Sequence, residues 1–128
     1  MKTNTKTIFN KLKTTLLQSG YEVILVSKLL PKKSRHTRSR GVKGYIVPDE
    51  LKIYINKAIG INDRVITLIH ELLHEIYPQW PERKVERECK QIFRGLKVSQ
   101  LGWLQFFVMT KAEMQNALKQ LETHSPIC

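Results

Sequence analysis

The stretch from Asn62 to Tyr77, "NDRVITLIHELLHEIY", decides how the rest of the chain is read. Val65, Leu68, Ile69, Leu72, Leu73 and Ile76 recur at the three- and four-residue intervals of a helix with one broad apolar side. Asn62 or Asp63 stands where an N-cap is expected, and Pro78 where the helix must close. His70 and His74 are separated by about 40° around this helix and point away from the centre of its apolar side. Two imidazoles so placed reach one ion at roughly 2.0 to 2.1 Å while the helix stays anchored in a core. Glu71 lies beside the pair, and the string His70-Glu71-Leu72-Leu73-His74 is HExxH. In that motif the glutamate takes a proton from water held at zinc. HExxH has only three fixed positions, however, and also arises where the histidines are no more than half-exposed polar residues.

The flanking sequence supplies the context. Upstream, "LKIYINK" (51–57) alternates Leu51, Ile53 and Ile55 with Lys52, Tyr54 and Asn56, the period of a strand with one wet face, and it reads as an edge strand. "GVKGYIVPDE" (41–50) is a short strand stopped by Pro48, and the two can pair as a hairpin around "PDE". "YEVILVSKLL" (21–30) is rich in residues that suit a pleated surface. "TIFNKLKTTLLQSG" (7–20) gathers Ile8, Leu12, Leu16 and Leu17 on one helical face, with Gly20 placed to end it. Downstream, "PERKVERECKQIFRGL" (81–96) begins a helix with Pro81 near its first position and an apolar stripe of Val85, Cys89, Ile92, Phe93 and Leu96. Trp80 is expected to pack the turn before it, and Cys89 to be a small core residue. "LGWLQFFVMT" (101–110) reads as core filling, and in "TKAEMQNALKQLE" (110–122) Thr110 and Glu113 have capping-box spacing. The expectation is an α+β protein: one compact domain over 1–128, ordered as helix, three strands and three helices.

A hydrolytic zinc site uses three protein ligands and keeps one position open. His36 lies in a basic loop and His124 near the end of the sequence, so neither is held by the helix. The following helix offers Glu82, Glu86 and Glu88. Glu86 and Glu88 flank its apolar stripe at similar angles and Glu82 lies nearer to it, so periodicity leaves all three open.

"HELLH" followed after a short turn by "VERECKQIF" resembles the gluzincin side of the zincin metallopeptidases, where a glutamate on the next helix is the third ligand. It is similar to immunity-repressor peptidases and membrane CAAX-processing peptidases, and the size and element order resemble the minigluzincins, with a basic loop at 31–41 between strands. The resemblance covers Val42 to Leu96 at most. It implies a zincin-like domain with one Zn²⁺ per chain, held by His70, His74 and Glu86, with Glu71 as catalytic base and peptide or protein as substrate. Lys90 departs from the Asp or Asn of the family pattern. The eleven residues between His74 and Glu86 are a short spacer for the larger members. The resemblance also implies that the segment around 101–110 and the last helix can plug the cleft, giving a monomer or a latent homodimer. An oxyanion needs a donor besides the metal, for which Tyr54, Tyr77 and Arg83 qualify by residue type. The strand at 51–57 either takes an extended peptide by β-augmentation or is paired within the core.

Lys and Arg total 22 against 11 Asp and Glu, a formal charge of +11 that favours polyanions without specifying a fold. Lys32, Lys33, Arg35, Arg38 and Arg40 concentrate part of it in one loop. They form either a solvated face or a phosphate-contacting hairpin; with no aromatic residue among them, nucleic acid would bind weakly and without sequence choice. This supports an alternative reading: a latent or inactive zinc-binding regulatory protein that associates with nucleic acid through the loop. Two cysteines form no disulfide framework, "MKTNTKTIFNKLK" lacks the apolar run of a signal peptide, and no stretch approaches a membrane span, so the expectation is a cytoplasmic chain without membrane contact.

Overall fold

The computed structural model describes residues 5–27 and 42–123. Helix α1 (Thr5–Gln18) leads into β1 (Glu22–Val26). Beyond the basic loop come β2 (Gly44–Val47), a single 3₁₀ turn over Pro48–Glu50, and β3 (Lys52–Asn56). Four helices follow: α2 (Ile61–Ile76), α3 (Glu82–Gly95), α4 (Val98–Val108) and α5 (Lys111–Thr123). The expected α+β architecture is present, with one helix more at the C-terminal end than the sequence suggested. The apolar stretch read as core filling is helix α4, whose residues are apolar on nearly every side, so no stripe marks it as helical. It buries Leu104 and Val108 and leaves Phe106 exposed.

Helix α2 is the centre of the molecule, packed against α1, α3, α4, β2 and β3. Val65, Leu68, Ile69, Leu72 and Leu73 are fully buried, each contributing roughly 1.5 to 3 kcal/mol by removal from water. The helix starts earlier than Asn62 or Asp63 would have it, because Gly60 is the N-cap and its carbonyl accepts the Arg64 amide. Tertiary contacts set that start. Ile61 packs on the core, the Asn62 side-chain oxygen Oδ1 accepts from Gln105 Nε2, and Asp63 pairs with Lys43 at 3.1 Å. On α1, Ile8, Leu12 and Leu16 are buried as expected. Leu17 is 57% exposed, because the contact with α2 takes up only one narrow stripe. Gly20 adopts φ +75°, a left-handed conformation that glycine reaches without strain as the chain leaves α1.

The sheet order is β1-β3-β2, with β1 parallel and β2 antiparallel to β3. This corrects the expectation for "LKIYINK". The strand is central, and both of its edges are already hydrogen-bonded, so no peptide can be added there. The hairpin around "PDE" does form, and β2 is its outer strand. Ile53 and Ile55 face the core while Tyr54 and its cross-strand partner Tyr45 lie on the opposite face, ring centroids 5.1 Å apart. Gly44 brings β2 tightly against α2: a Cβ there would lie 2.6 Å from Thr67 Cγ2 and 2.7 Å from the Tyr54 carbonyl oxygen.

Among the described residues no helix is long and apolar enough to cross a membrane. Lys32, Lys33, Arg35, His36, Arg38, Arg40, His124 and Cys128 lie outside the described residues.

Candidate metal centre

Helices α2 and α3 form an antiparallel pair joined by the turn 77–81. Tyr77 and Trp80 stack within it at 4.0 Å, Lys84 lies over the Trp80 ring, and the Trp80 amide donates to the Tyr77 carbonyl. Trp80 therefore packs the turn, as expected. Helix α3 begins as the Pro81 carbonyl accepts the amides of Lys84 and Val85, which puts the proline at the N-cap, one residue before the expected position. Val85, Cys89 and Ile92 then bury themselves against the core.

This pairing brings one glutamate to both histidines. Glu82 places one carboxylate oxygen 2.7 Å from His70 Nε2 and the other 2.9 Å from His74 Nε2, and the two Nε2 atoms are 3.1 Å apart. The structure thus gathers Glu82, an alternative in the sequence, where the family resemblance pointed to Glu86. The way α3 meets α2 turns the Glu82 border of its stripe towards the histidines. At 100° per residue Glu82 lies roughly 40° from the centre of the buried stripe, whereas Glu86 and Glu88 are about twice as far round on opposite sides. Glu86 stays exposed; it acts on His70 only through its charge, and its main-chain carbonyl accepts the Cys89 thiol at 3.2 Å.

His70, His74 and Glu82 form a group that can hold one metal ion, each offering an atom within 4.8 Å of the others. The donor set fits such an ion. Two nitrogens bound tetrahedrally at 2.0 to 2.1 Å would sit about 3.3 Å apart, close to the spacing observed. Burial pushes the His70 pKa down, against the opposing pull of Glu82, which favours the neutral imidazole that metals bind. Glu82 is 59% exposed while His70 is 18% exposed, so the group is closed behind by the helix pair and open to solvent in front.

Glu71 adjoins this group on its buried side. Its carboxylate accepts the amide of Ile46, which comes from β2. Desolvation, then the nearby charge of Glu82, raise its pKa to about 8, with the Ile46 hydrogen bond partly opposing them. A divalent cation between the histidines would draw it down again.

The bond to Ile46 also identifies which strand flanks the site. The main-chain groups of Lys43, just before β2, and of Tyr45 and Val47 within it face β3, as the Asn56 amide to Lys43 carbonyl bond shows, so those of Gly44 and Ile46 face outward. The edge beside α2 is therefore β2. Of the candidate oxyanion donors, two are turned elsewhere and the third is exposed on α3. Tyr54 lies on the far face of the sheet, the Tyr77 hydroxyl accepts the Lys11 ammonium at 3.0 Å, and Arg83 is exposed.

A second polar cluster lies at the other end of α2, built on Arg64, which nothing in the sequence singled out. Buried Arg64 donates to the carbonyls of Lys57, Ile59 and Val108, and its guanidinium pairs with both carboxylate oxygens of Glu113 at 2.7 and 2.9 Å. Glu113 and Thr110 close the expected capping box at the start of α5. The Arg64 guanidinium holds the Glu113 carboxyl down to about 2.

No family model matches the chain, and neither the curated proteins nor the solved structures give a match.

Proposed function

We propose that this chain is a zinc-dependent peptidase. The observation that carries the reading is the joining of Glu82, from the next helix, to the two HExxH histidines, with Glu71 next to them and hydrogen-bonded to the edge strand. Two imidazoles and a carboxylate suit zinc and leave a coordination position free. When bound, the ion supplies Lewis acidity that polarises a carbonyl and eases deprotonation of water near neutral pH. Glu71 accepts that proton on its carboxylate and returns it to the leaving amine. His70, His74 and Glu82 fix the reaction point, and the buried floor beneath Glu71 keeps bulk water to the open side. An extended peptide lies along β2, where the Ile46 carbonyl and the outward groups of Gly44 meet its backbone. Resemblance to the gluzincins supports peptide-bond hydrolysis as the reaction.

The test is zinc content together with cleavage of an unfolded protein substrate, in wild type and in Glu71→Gln. The expected outcome is about one zinc in both proteins and loss of cleavage in the variant, since only proton transfer is removed. Undiminished cleavage by Glu71→Gln would take Glu71 out of the mechanism. Wild-type protein that binds no zinc would end the metal reading altogether.

The charge of +11 favours a second reading: a zinc-binding regulatory protein, latent or without turnover, that associates with nucleic acid through the basic loop. Zinc bound without cleavage, together with salt-sensitive retention on DNA, is its expected signature.

A further inference from the structure

His70 meets the proposed metal through Nε2, which leaves Nδ1 on the inner side of the ring. Metal-binding histidines ordinarily donate that second N–H to a carboxylate or a carbonyl, which fixes how the ring is turned. Here the polar atom that faces Nδ1 among the described residues is the sulfur of Cys89, at 4.0 Å. Cys89 is 2% exposed and lies on α3, two turns past Glu82. Its thiol is itself oriented. It donates to the Glu86 carbonyl at 3.2 Å, turning the S–H away from His70 and leaving sulfur lone pairs towards the imidazole.

We infer that Cys89 is a positioning residue for His70. The oriented sulfur accepts Nδ1–H and holds the ring so that unprotonated Nε2 faces the point shared with His74 and Glu82. The chain of contacts runs from the Glu86 carbonyl through the thiol to the imidazole, so α3 contributes a ligand at its first residue and a ring support two turns later. Packing alone does not require this arrangement. An apolar residue of similar volume would fill the same stripe position, whereas only a group with an acceptor can receive Nδ1–H. Sulfur is a weaker acceptor than a carboxylate, so the support is soft, and contraction by a few tenths of an ångström on metal binding would bring the pair into hydrogen-bonding range.

This inference rests on the metal reading, and the experiment separates the two. Zinc affinity is measured by competition with a chromophoric chelator for wild type, Cys89→Ser and Cys89→Val, and the melting temperature of each protein is taken free of metal. Serine keeps a donor and an acceptor, while valine keeps apolar bulk. The expected result is a loss of affinity in Cys89→Val of about tenfold or more, and a clearly smaller loss in Cys89→Ser, even though valine is the variant better suited to a buried stripe. In the zinc-loaded proteins the Nδ1–H proton resonance of His70 should be slow to exchange with water in wild type and in Cys89→Ser, and fast in Cys89→Val. Wild-type zinc affinity retained in Cys89→Val, or a larger loss in Cys89→Ser than in Cys89→Val, would overturn the role of Cys89 and leave the metal centre standing. Absence of zinc binding by wild type would remove both.

Discussion

At the scale of single residues, the site turns on which carboxylate of α3 faces α2. Glu82 bridges both imidazoles, whereas Glu86 reaches His70 only through its field. Glu82→Ala is therefore expected to weaken zinc binding by more than about 100-fold, the upper end of what removing an outer partner of a ligand does. Glu86→Ala should cost no more than a few-fold, which chelator competition at neutral pH would measure. A larger loss from Glu86→Ala than from Glu82→Ala would mean that α3 is rotated about its axis from the arrangement described. HExxH is legible because His70, Glu71 and His74 stand on one helix and their spacing contains their geometry. The third carboxylate is harder to read, since Glu82, Glu86 and Glu88 all border one stripe and the choice depends on the angle at which two helices meet.

At the scale of elements, α2 bears a polar cluster at each end of a buried apolar middle. The end away from the histidines depends on Arg64, a buried guanidinium held by three carbonyls and by Glu113. That ion pair joins α5 to the body. Breaking a fully buried pair costs about 3 to 5 kcal/mol; because Glu113 is 31% exposed and Arg64 keeps its carbonyl acceptors, Glu113→Gln is expected to cost less, about 1 to 2 kcal/mol by chemical denaturation at pH 6. The pH dependence has a definite sign. The folded pKa of Glu113, about 2, lies below its ordinary value of 4.5, so the stabilisation is complete above about 4.5 and is lost as pH falls towards 2. The stability gap between wild type and Glu113→Gln should therefore be widest above pH 5 and should close by pH 2 to 3. A gap of constant size across that range would show that the glutamate acts through packing and not through its charge. Gly44→Ala sets a methyl against Thr67 and the Tyr54 carbonyl, the second of which cannot swing aside, so a loss of about 1 to 3 kcal/mol is expected in the same denaturation assay.

For the whole molecule, the net charge of +11 acts at longer range than any single contact. Retention on heparin and on duplex DNA is expected to fall steeply as salt is raised from 50 to 200 mM, with little difference between DNA sequences, because released counterions carry the affinity. Retention that does not move with salt would exclude a phosphate-contacting role. Near the proposed cleft the acidic charges that act on His70 are those of Glu82 and Glu86. α4 and the start of α5 join α2 near Asn62 and Arg64, about two turns below His70.

The sequence alone determined what repeats with a period or lies within one turn: the amphipathic α1, α2 and α3, the hairpin that turns at Pro48, the Thr110 and Glu113 capping box, and the HExxH face. Each rests on interactions among residues close in the chain, whose relative geometry the backbone supplies. Tertiary structure decided the rest. β3 is central because β1 returns parallel to it across a long connection, a pairing that its alternation of Ile and polar residues cannot reveal. The nearly all-apolar α4 shows no helical stripe, so its helix became evident only from what it packs against. Arg64 is buried because Val108 and Glu113 come to it from more than forty residues away, partners that no local pattern announces. Glu82 and Cys89 acquire their places at His70 and His74 from the angle between α2 and α3, which the packing of Val85, Leu72 and their neighbours sets and no spacing along the chain encodes.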